Sequence, residues 1–379
     1  MKILLKLAYR NVLRNKRRSL ITFSAITISI FMLVLSSGIM TGIGNQSKRN
    51  IIDTQAGHLK IFSPQYWENR ETLPLEYTLK DAYLILKLIS ENPEIQGSAE
   101  RIVFPAMLND GVNNLFCIGI GIDPERDKNV FKIAESINGE YLSPGDEKML
   151  IGIGLAKILG VTAGDQLTLI ARTRYNAIEA RDLIIKGIIN TGNPEIDNVA
   201  VFIPIKLAQQ SLEMNGDITE ITLRLKDLGK INRMKIQLKR ELERNGISGI
   251  ISTWRDLSRD FISLHNAKKG GFGVIMAIIV IISAVGIVNT MFMSTFERTR
   301  EIGMMMALGF KDRDVKRLFL LEGAILGGSG SLLGSLLGSI LTYAGEIYGI
   351  NLTALYGEME LGYPVKDILY LDLTTATVI

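Results

Sequence analysis

Three long apolar stretches without a single charge limit what this chain can become. No charged residue occurs from Ser19 to Ser47, from Gly270 to Phe296, or from Gly323 to Gly345. Each stretch reaches the about 20 apolar residues that a helix needs to cross the roughly 30 Å hydrocarbon core of a bilayer. The first is not expected to be a cleaved leader. Its charged lead-in is too long, its apolar run exceeds the roughly 7–15 residues of a signal core, and no A-x-A site follows. Between the first and second stretches, residues 49–267 have ordinary globular composition and are expected to form a water-exposed domain inserted between membrane helices. A mean hydropathy of +0.22, with 47% hydrophobic and 22% charged residues, suits such a mixture of lipid-facing and water-facing parts.

Composition removes several function classes. The 43 Lys and Arg against 39 Asp and Glu include no long basic run beyond the N-terminus, so nucleic acid is not an expected partner. Cys117 is the sole cysteine, and His58 and His265 are the only histidines, which excludes a disulfide framework and makes a Cys- or His-based metal site an unpromising reading. There is no G-x-x-x-x-G-K-[ST], no H-E-x-x-H and no G-x-S-x-G. No catalytic, cofactor-binding or metal residue is therefore expected in this chain, and any energy from ATP must arrive through another polypeptide.

Charge asymmetry sets a topology. Lys2, Lys6, Arg10, Arg14, Lys16, Arg17 and Arg18 precede the first span with no acid among them, so the N-terminus is expected in the cytoplasm. Alternating crossings then put the large domain outside, residues 297–317 inside, and the acidic segment after Tyr343 outside. Leu371, Leu373 and Thr374 to Ile379 read as the entry to a fourth span cut short. The expected fold class is thus a membrane α-helical bundle of four spans with a large inserted α+β domain. Its segments are 1–48, 49–267, 268–345 and 346–379. Leu5, Ala8, Tyr9, Val12 and Leu13 fall on one helical face while Lys6, Arg10, Arg14 and Arg18 recur every four residues on another. That pattern suits a helix lying on membrane lipid, although topogenic charge alone would need no helix.

In the inserted domain, His58 to Phe62, Phe116 to Ile122, Leu167 to Ala171, Leu183 to Ile189, Val199 to Pro204 and Glu220 to Leu225 read as strands. Lys80 to Ser90, Leu155 to Leu159, Ile205 to Leu212 and Lys230 to Asn245 read as helices. This order suggests two α+β subdomains. Arg172 to Asp182 is expected to be a solvated connection between strands, with Tyr175 and Ile178 its only sizeable apolar residues.

The segment between the second and third spans is the informative one. Glu297, Arg298, Arg300 and Glu301 bring both charge signs to the mouth of the second span. Gly303 and Gly309 bracket an apolar turn, Met304 to Leu308, in which Met305, Met306 and Leu308 are the candidate coupling residues. Methionine adapts to a partner's groove and Gly309 can end a helix in a left-handed cap, while a turn resting on the membrane surface is the competing reading. In the third span Gly323, Gly327, Gly330, Gly334 and Gly338 form a small-residue stripe that allows close helix packing.

The order E-R-x-x-E-I-G-x-x-x-A-L-G over Glu297 to Gly309, followed by a basic turn and L-F-x-x-E-G ending at Gly323, resembles the FtsX-like permease domain of ABC transporters in the MacB, LolC/LolE and FtsX group. Gly57 to Leu59, the T-G-N-P-E-I-D-N of Thr191 to Asn198 and the V-F-I-P of Val201 to Pro204 are similar to that group as well. The resemblance implies a permease subunit in the bacterial inner membrane, with residues 297–317 docking on a separate ATPase that holds ATP and Mg. It also implies a second permease, either a copy or a paralogue. The implied task is lipoprotein release, with MacB-like drug or peptide export, or FtsX-like activation of a cell-wall hydrolase, as alternatives. LolC-type members capture a periplasmic lipoprotein carrier with a proline-rich loop. Residues 172–182 contain no proline, so that role is not transferred to them.

Overall fold

A computed structural model describes residues 2–351, 363–365 and 368–373. The chain divides into two compact units: Asn45–Ile262 forms one, and the helical segments before and after it form the other. Helices of seven or more residues are α1 (Lys2–Arg14), α2 (Lys16–Ile51), α3 (Ala82–Ser90), α4 (Ile153–Leu159), α5 (Ile205–Ser211), α6 (Ile231–Arg244), α7 (Arg259–Glu297), α8 (Thr299–Ala307) and α9 (Asp312–Tyr348).

Three of these, α2, α7 and α9, are long and apolar enough to cross a membrane. The fourth expected span, from residue 374, lies outside the described residues. All three outrun their charge-free cores. The 39 residues of α7 rise about 58 Å, well beyond the hydrocarbon thickness. It begins at Arg259, ahead of the apolar stretch at Gly270, because no proline or cap interrupts the polar turns before it.

Small residues bring α9 against α2. A methyl group on Gly330 would approach Ile26 Cβ to 3.1 Å, one on Gly334 the Thr27 carbonyl oxygen to 2.5 Å, and one on Gly338 Val34 Cβ to 2.8 Å. Thr27 Oγ1 donates to the Gly330 carbonyl at 3.2 Å across the same seam. Between apolar helices in lipid, close backbone approach and such hydrogen bonds supply the attraction that water supplies elsewhere. Gly327, part of the expected stripe, faces open space, and Gly323 would reach only Met291 at 3.8 Å. The contact stripe is therefore Gly330, Gly334 and Gly338, and the helix it meets belongs to this chain.

The globular unit is built on a mixed sheet of β1 (Leu59–Phe62), β2 (Ile95–Asn109), β3 (Asn114–Ile122), β4 (Ile137–Gly139), β5 (Lys148–Gly152), β6 (Gln166–Arg172), β7 (Ile178–Ile189), β8 (Ala200–Pro204), β9 (Glu220–Leu225) and β10 (Ile250–Thr253). Strands β2, β3, β8, β5, β7 and β6 pair in turn, and β6 pairs back onto β2, closing a six-stranded ring. Strands β9, β1 and β10 continue the sheet from the first half of β2. A closed ring has no free strand edge to protect. The two subdomains expected from the order of elements give way to one continuous sheet, because β2 is shared. Its first half pairs β9 up to Arg101, and its second half pairs β6 from Ala106. Pro105, which has no N–H to donate and obscures the strand in sequence, falls between the two partners, where only β3 pairs. Residues 172–182 are also more ordered than expected. β7 starts at Ile178, so only 173–177 connect a hairpin, with Asn176 at φ 65°. Both faces of the sheet are covered: Ile102, Phe104, Leu108, Met149 and Val201 belong to one buried apolar cluster, and Ile120, Leu150, Ile189 and Phe202 to another.

His58 precedes β1 and accepts a hydrogen bond at Nδ1 from the Leu225 N–H, at 2.9 Å. Burial, reinforced by Arg224, pushes its pKa down to about 4 from 6.5.

Two outcomes follow from these contacts. Gly334→Val should disrupt the α2–α9 seam and lower the melting temperature of the detergent-solubilised chain, whereas Gly327→Val should leave it nearly unchanged; equal effects would contradict the packing. Between about pH 6.5 and pH 4 the unfolded chain binds a proton at His58 that the folded unit refuses, so stability falls as pH drops through that window. Both tryptophans, Trp67 and Trp254, lie in the globular unit, so their fluorescence during denaturation reads this unit alone. The unit should unfold more easily near pH 5 than near pH 7.5, and His58→Asn, which retains an acceptor for Leu225, should flatten that difference.

Candidate functional site

Between α7 and α9 the chain makes a compact elbow. Helix α8 follows α7 after the single residue Arg298, and its end is fully capped. The Gly309 N–H bonds the Met306 carbonyl at 3.0 Å and the Phe310 N–H bonds the Met305 carbonyl at 3.1 Å, with Gly309 at φ 93°. These are the two bonds of a Schellman motif, and the positive φ is the reason glycine stands there. Helix α9 then starts at Asp312, where Asp314 Oδ2 accepts from the Lys311 N–H at 3.3 Å.

An ion-pair network holds the elbow. The Arg298 guanidinium is buried, and its Nη1 donates to both Glu322 carboxylate oxygens at 3.1 and 3.3 Å. Its Nε donates to Glu301 Oε2 at 2.9 Å. Glu301 also receives Arg14 Nη2 at 2.7 Å, and Glu322 receives Asn11 Nδ2 at 2.7 Å, so α1 is tied to both α8 and α9. Hydrogen bonds from Arg14 and then Arg298 hold the Glu301 carboxyl below the usual carboxylate range. Arg298 and Glu322, the two buried charges of the network, are paired with each other, as the cost of desolvating an isolated ion demands.

The outer surface of the elbow is apolar. Met304 is 56% exposed, Met306 47% and Leu308 81%, on a helix of little more than two turns. The elbow presents an adaptable hydrophobic knob on a rigid mount.

Two family models cover most of the chain. The model described as MacB-like periplasmic core domain matches residues 19–241, and that described as FtsX-like permease C-terminal matches residues 273–377. The chain belongs to the ABC-transporter permease family with a MacB-like periplasmic core domain. It is 23% identical over 346 residues to a lipoprotein-releasing system transmembrane protein LolC of Xylella fastidiosa, covering 87% of this chain and 80% of that one. A lipoprotein-releasing system transmembrane protein LolE of Haemophilus influenzae is 23% identical, with 84% and 76% covered. A macrolide export ATP-binding/permease protein MacB of Campylobacter jejuni is 26% identical over 89% of this chain, but this chain spans only 53% of it.

The permease distributes its expected site residues unevenly. Glu297 and Arg300 are exposed, and Glu301 is half-buried between two arginines. Arg298 stands at the end of α7, as its place in the sequence requires, and there it is buried against Glu322 of α9. Gly303 has open space around it. Met305 is half-buried on the inner side of α8, and Met304, which the sequence reading did not single out, is exposed beside Met306 and Leu308. Glu322, Asn11 and Arg14 were missed as site residues. The signal for Glu322 was present in an acid standing directly before the charge-free stretch Gly323 to Gly345 and after apolar Leu318 to Leu321, a setting that calls for a buried cation. Helix α1 is helical as its pattern suggests. Ala8 is fully buried and Asn11 bonds α9, while Leu5, Tyr9 and Leu13 stay exposed.

Removing one member of the buried pair should cost more than removing both. Glu322→Leu leaves Arg298 with Glu301 alone and is expected to destabilise the chain by about 3 kcal/mol, while Arg298→Met with Glu322→Leu recovers most of that. Thermal unfolding of the detergent-solubilised chain measures both, and a double variant worse than the single one would contradict a desolvated pair.

Proposed function

We propose that this chain is the membrane-spanning subunit of an ABC transporter that passes ATP-driven motion to its globular unit, most closely in the manner of a lipoprotein-releasing system. The observation that carries the reading is the elbow itself: an exposed Met304, Met306 and Leu308 knob mounted on a buried Arg298–Glu322 pair between two long apolar helices. A knob of this kind suits a groove on a separate ATPase subunit, which would hold ATP and Mg. In this reading α8 and the N-terminus face the cytoplasm of a bacterium, the membrane is the inner one, and the globular unit projects outside.

The choice of cargo class rests on how much of each relative the chain spans. A relative named macrolide export ATP-binding/permease protein MacB is spanned to 53%. Relatives named LolC are spanned to 80%. Lipoprotein release is therefore preferred over drug export and over regulation of a cell-wall hydrolase. Helix α7 exposes Val274, Ile278, Ile282, Val285 and Phe292, an apolar surface suited to lipid or to a second permease, copy or paralogue. Tyr175 and Ile178 are exposed at the β6–β7 hairpin, but two residues are a small platform for a soluble carrier. We assign carrier capture to a partner permease, or to no subunit at all in a homodimer.

Met306→Asp with Leu308→Asp should abolish copurification with the ATPase subunit and leave membrane insertion intact, since a charge forced into an apolar contact costs several kcal/mol, about 100-fold or more in affinity. The purified chain alone should hydrolyse no ATP. Copurification undiminished by both substitutions would sink the docking assignment.

A further inference from the structure

The T-G-N-P-E-I-D-N stretch of Thr191 to Asn198 takes no part in the elbow, yet it is one of the most thoroughly bonded loops in the globular unit. The Asp197 carboxylate accepts from the Thr191 N–H and hydroxyl, both at 2.9 Å, and from the Gly192 N–H at 2.7 Å, so the loop is fastened to itself. Asn193 Oδ1 accepts from the Glu195 N–H at 3.2 Å and caps the single helical turn Pro194–Asp197. Thr191, Asn193 and Asp197 are all buried.

The donors left over point at the chain that continues α2. After Ile51 the helix widens into a π-turn, Ile52–Ala56, closed by the Gly57 N–H on the Ile52 carbonyl at 3.1 Å, before Gly57 at φ 59° turns the chain toward β1. Asn193 Nδ2 donates to Thr54 Oγ1 at 3.0 Å and to Gln55 Oε1 at 3.4 Å. Asn50 Nδ2 donates to the Thr191 carbonyl at 2.7 Å, and Gln55 Nε2 donates to Glu195. On another side of the turn, Asp53 pairs with Arg224 at 2.7 Å and with Lys132 at 3.7 Å, and its carbonyl accepts from the Lys132 N–H at 2.8 Å. A helix held at one point can slide or rotate under load. Held at positions 50, 54 and 55 by one loop and at 53 by two basic residues, it can do neither without breaking buried hydrogen bonds. π-turns are rare and recur at functional sites.

We infer that the Thr191–Asn198 loop is a clasp that, inside the globular unit, holds the last turn of α2 and its π-turn, with Asn193, Thr54 and Asn50 as positioning residues for transmitted motion. This rests on the motion-transmitting reading above.

The test uses the full chain in lipid nanodiscs with its ATPase subunit, carrying spin labels at Ile21→Cys and Val112→Cys, two exposed positions; the native Cys117 is buried. The distance distribution is compared without nucleotide and with ATP plus vanadate. Asn193→Ser keeps a cap acceptor but is too short to reach Thr54, and Thr54→Val removes the receiving hydroxyl. Both should leave complex assembly and ATP hydrolysis in place, reduce the nucleotide-dependent distance change to less than about half, and raise amide exchange over residues 52–57 about tenfold, the scale of one buried hydrogen bond. Thr54→Ser should retain the full change. A loop that serves stability alone would raise exchange and leave the nucleotide response untouched, and that result in either variant that assembles would overturn the clasp. No nucleotide response in the unsubstituted protein would instead remove the motion-transmitting reading, and the clasp with it.

Discussion

The buried pair of Arg298 and Glu322 is the interaction on which the membrane unit's organisation turns. A guanidinium at the junction of two long apolar helices cannot stay there unless acceptors surround it, and the Glu322 and Glu301 carboxylates supply them, while Asn11 Nδ2 donates to Glu322 from its other side. Its two acceptors come from α8 and α9, and α1 reaches the same carboxylates through Arg14 and Asn11, so one network ties three elements. The angle of α8, and with it the direction in which Met304, Met306 and Leu308 project, is therefore set by electrostatics rather than by the apolar residues that do the presenting. Gly309 completes the mount, since only a residue at ease with positive φ closes both carbonyl bonds of the cap.

The globular unit solves a different problem, that of standing in water without disulfides. It does so by closing six strands into a ring and extending that ring through β9, β1 and β10. Two buried ion pairs sit in this sheet: Lys60 with Glu220 at 2.6 Å, and Arg101 bidentate to Asp127 at 2.9 and 3.2 Å. Arg101 also lies 3.5 Å from the Phe131 ring centroid, and the Tyr141 hydroxyl donates to Asp127. Replacing either pair with apolar residues could be neutral for stability. Their paired state is what makes their burial tolerable.

Much of this was legible in the residues. The three membrane helices followed from charge-free length, and most strands from apolar runs of four or more residues. Four strands were missed: β4, β5 and β10 are only three to five residues long, and in β2 Gly97, Arg101 and Pro105 break the apolar pattern along a strand that changes partners midway. In the elbow, the exposed Met306 and Leu308 were readable from composition, whereas the inward turn of Met305 and Arg298 was not, since helical phase within a nine-residue helix depends on what packs beneath it.

By itself the sequence determined which segments are long and apolar enough to cross a membrane, that these residues contain no P-loop motif, and which signature the elbow carries. These depend on local composition and spacing, which hydration and backbone geometry read directly. Only the tertiary structure decided which of five glycines touch a neighbouring helix, which arginine becomes a strut, and that Asn193 faces Thr54 across 139 residues. Those outcomes depend on the relative placement of distant segments, and a buried polar group finds its partner only once both have been brought out of water together.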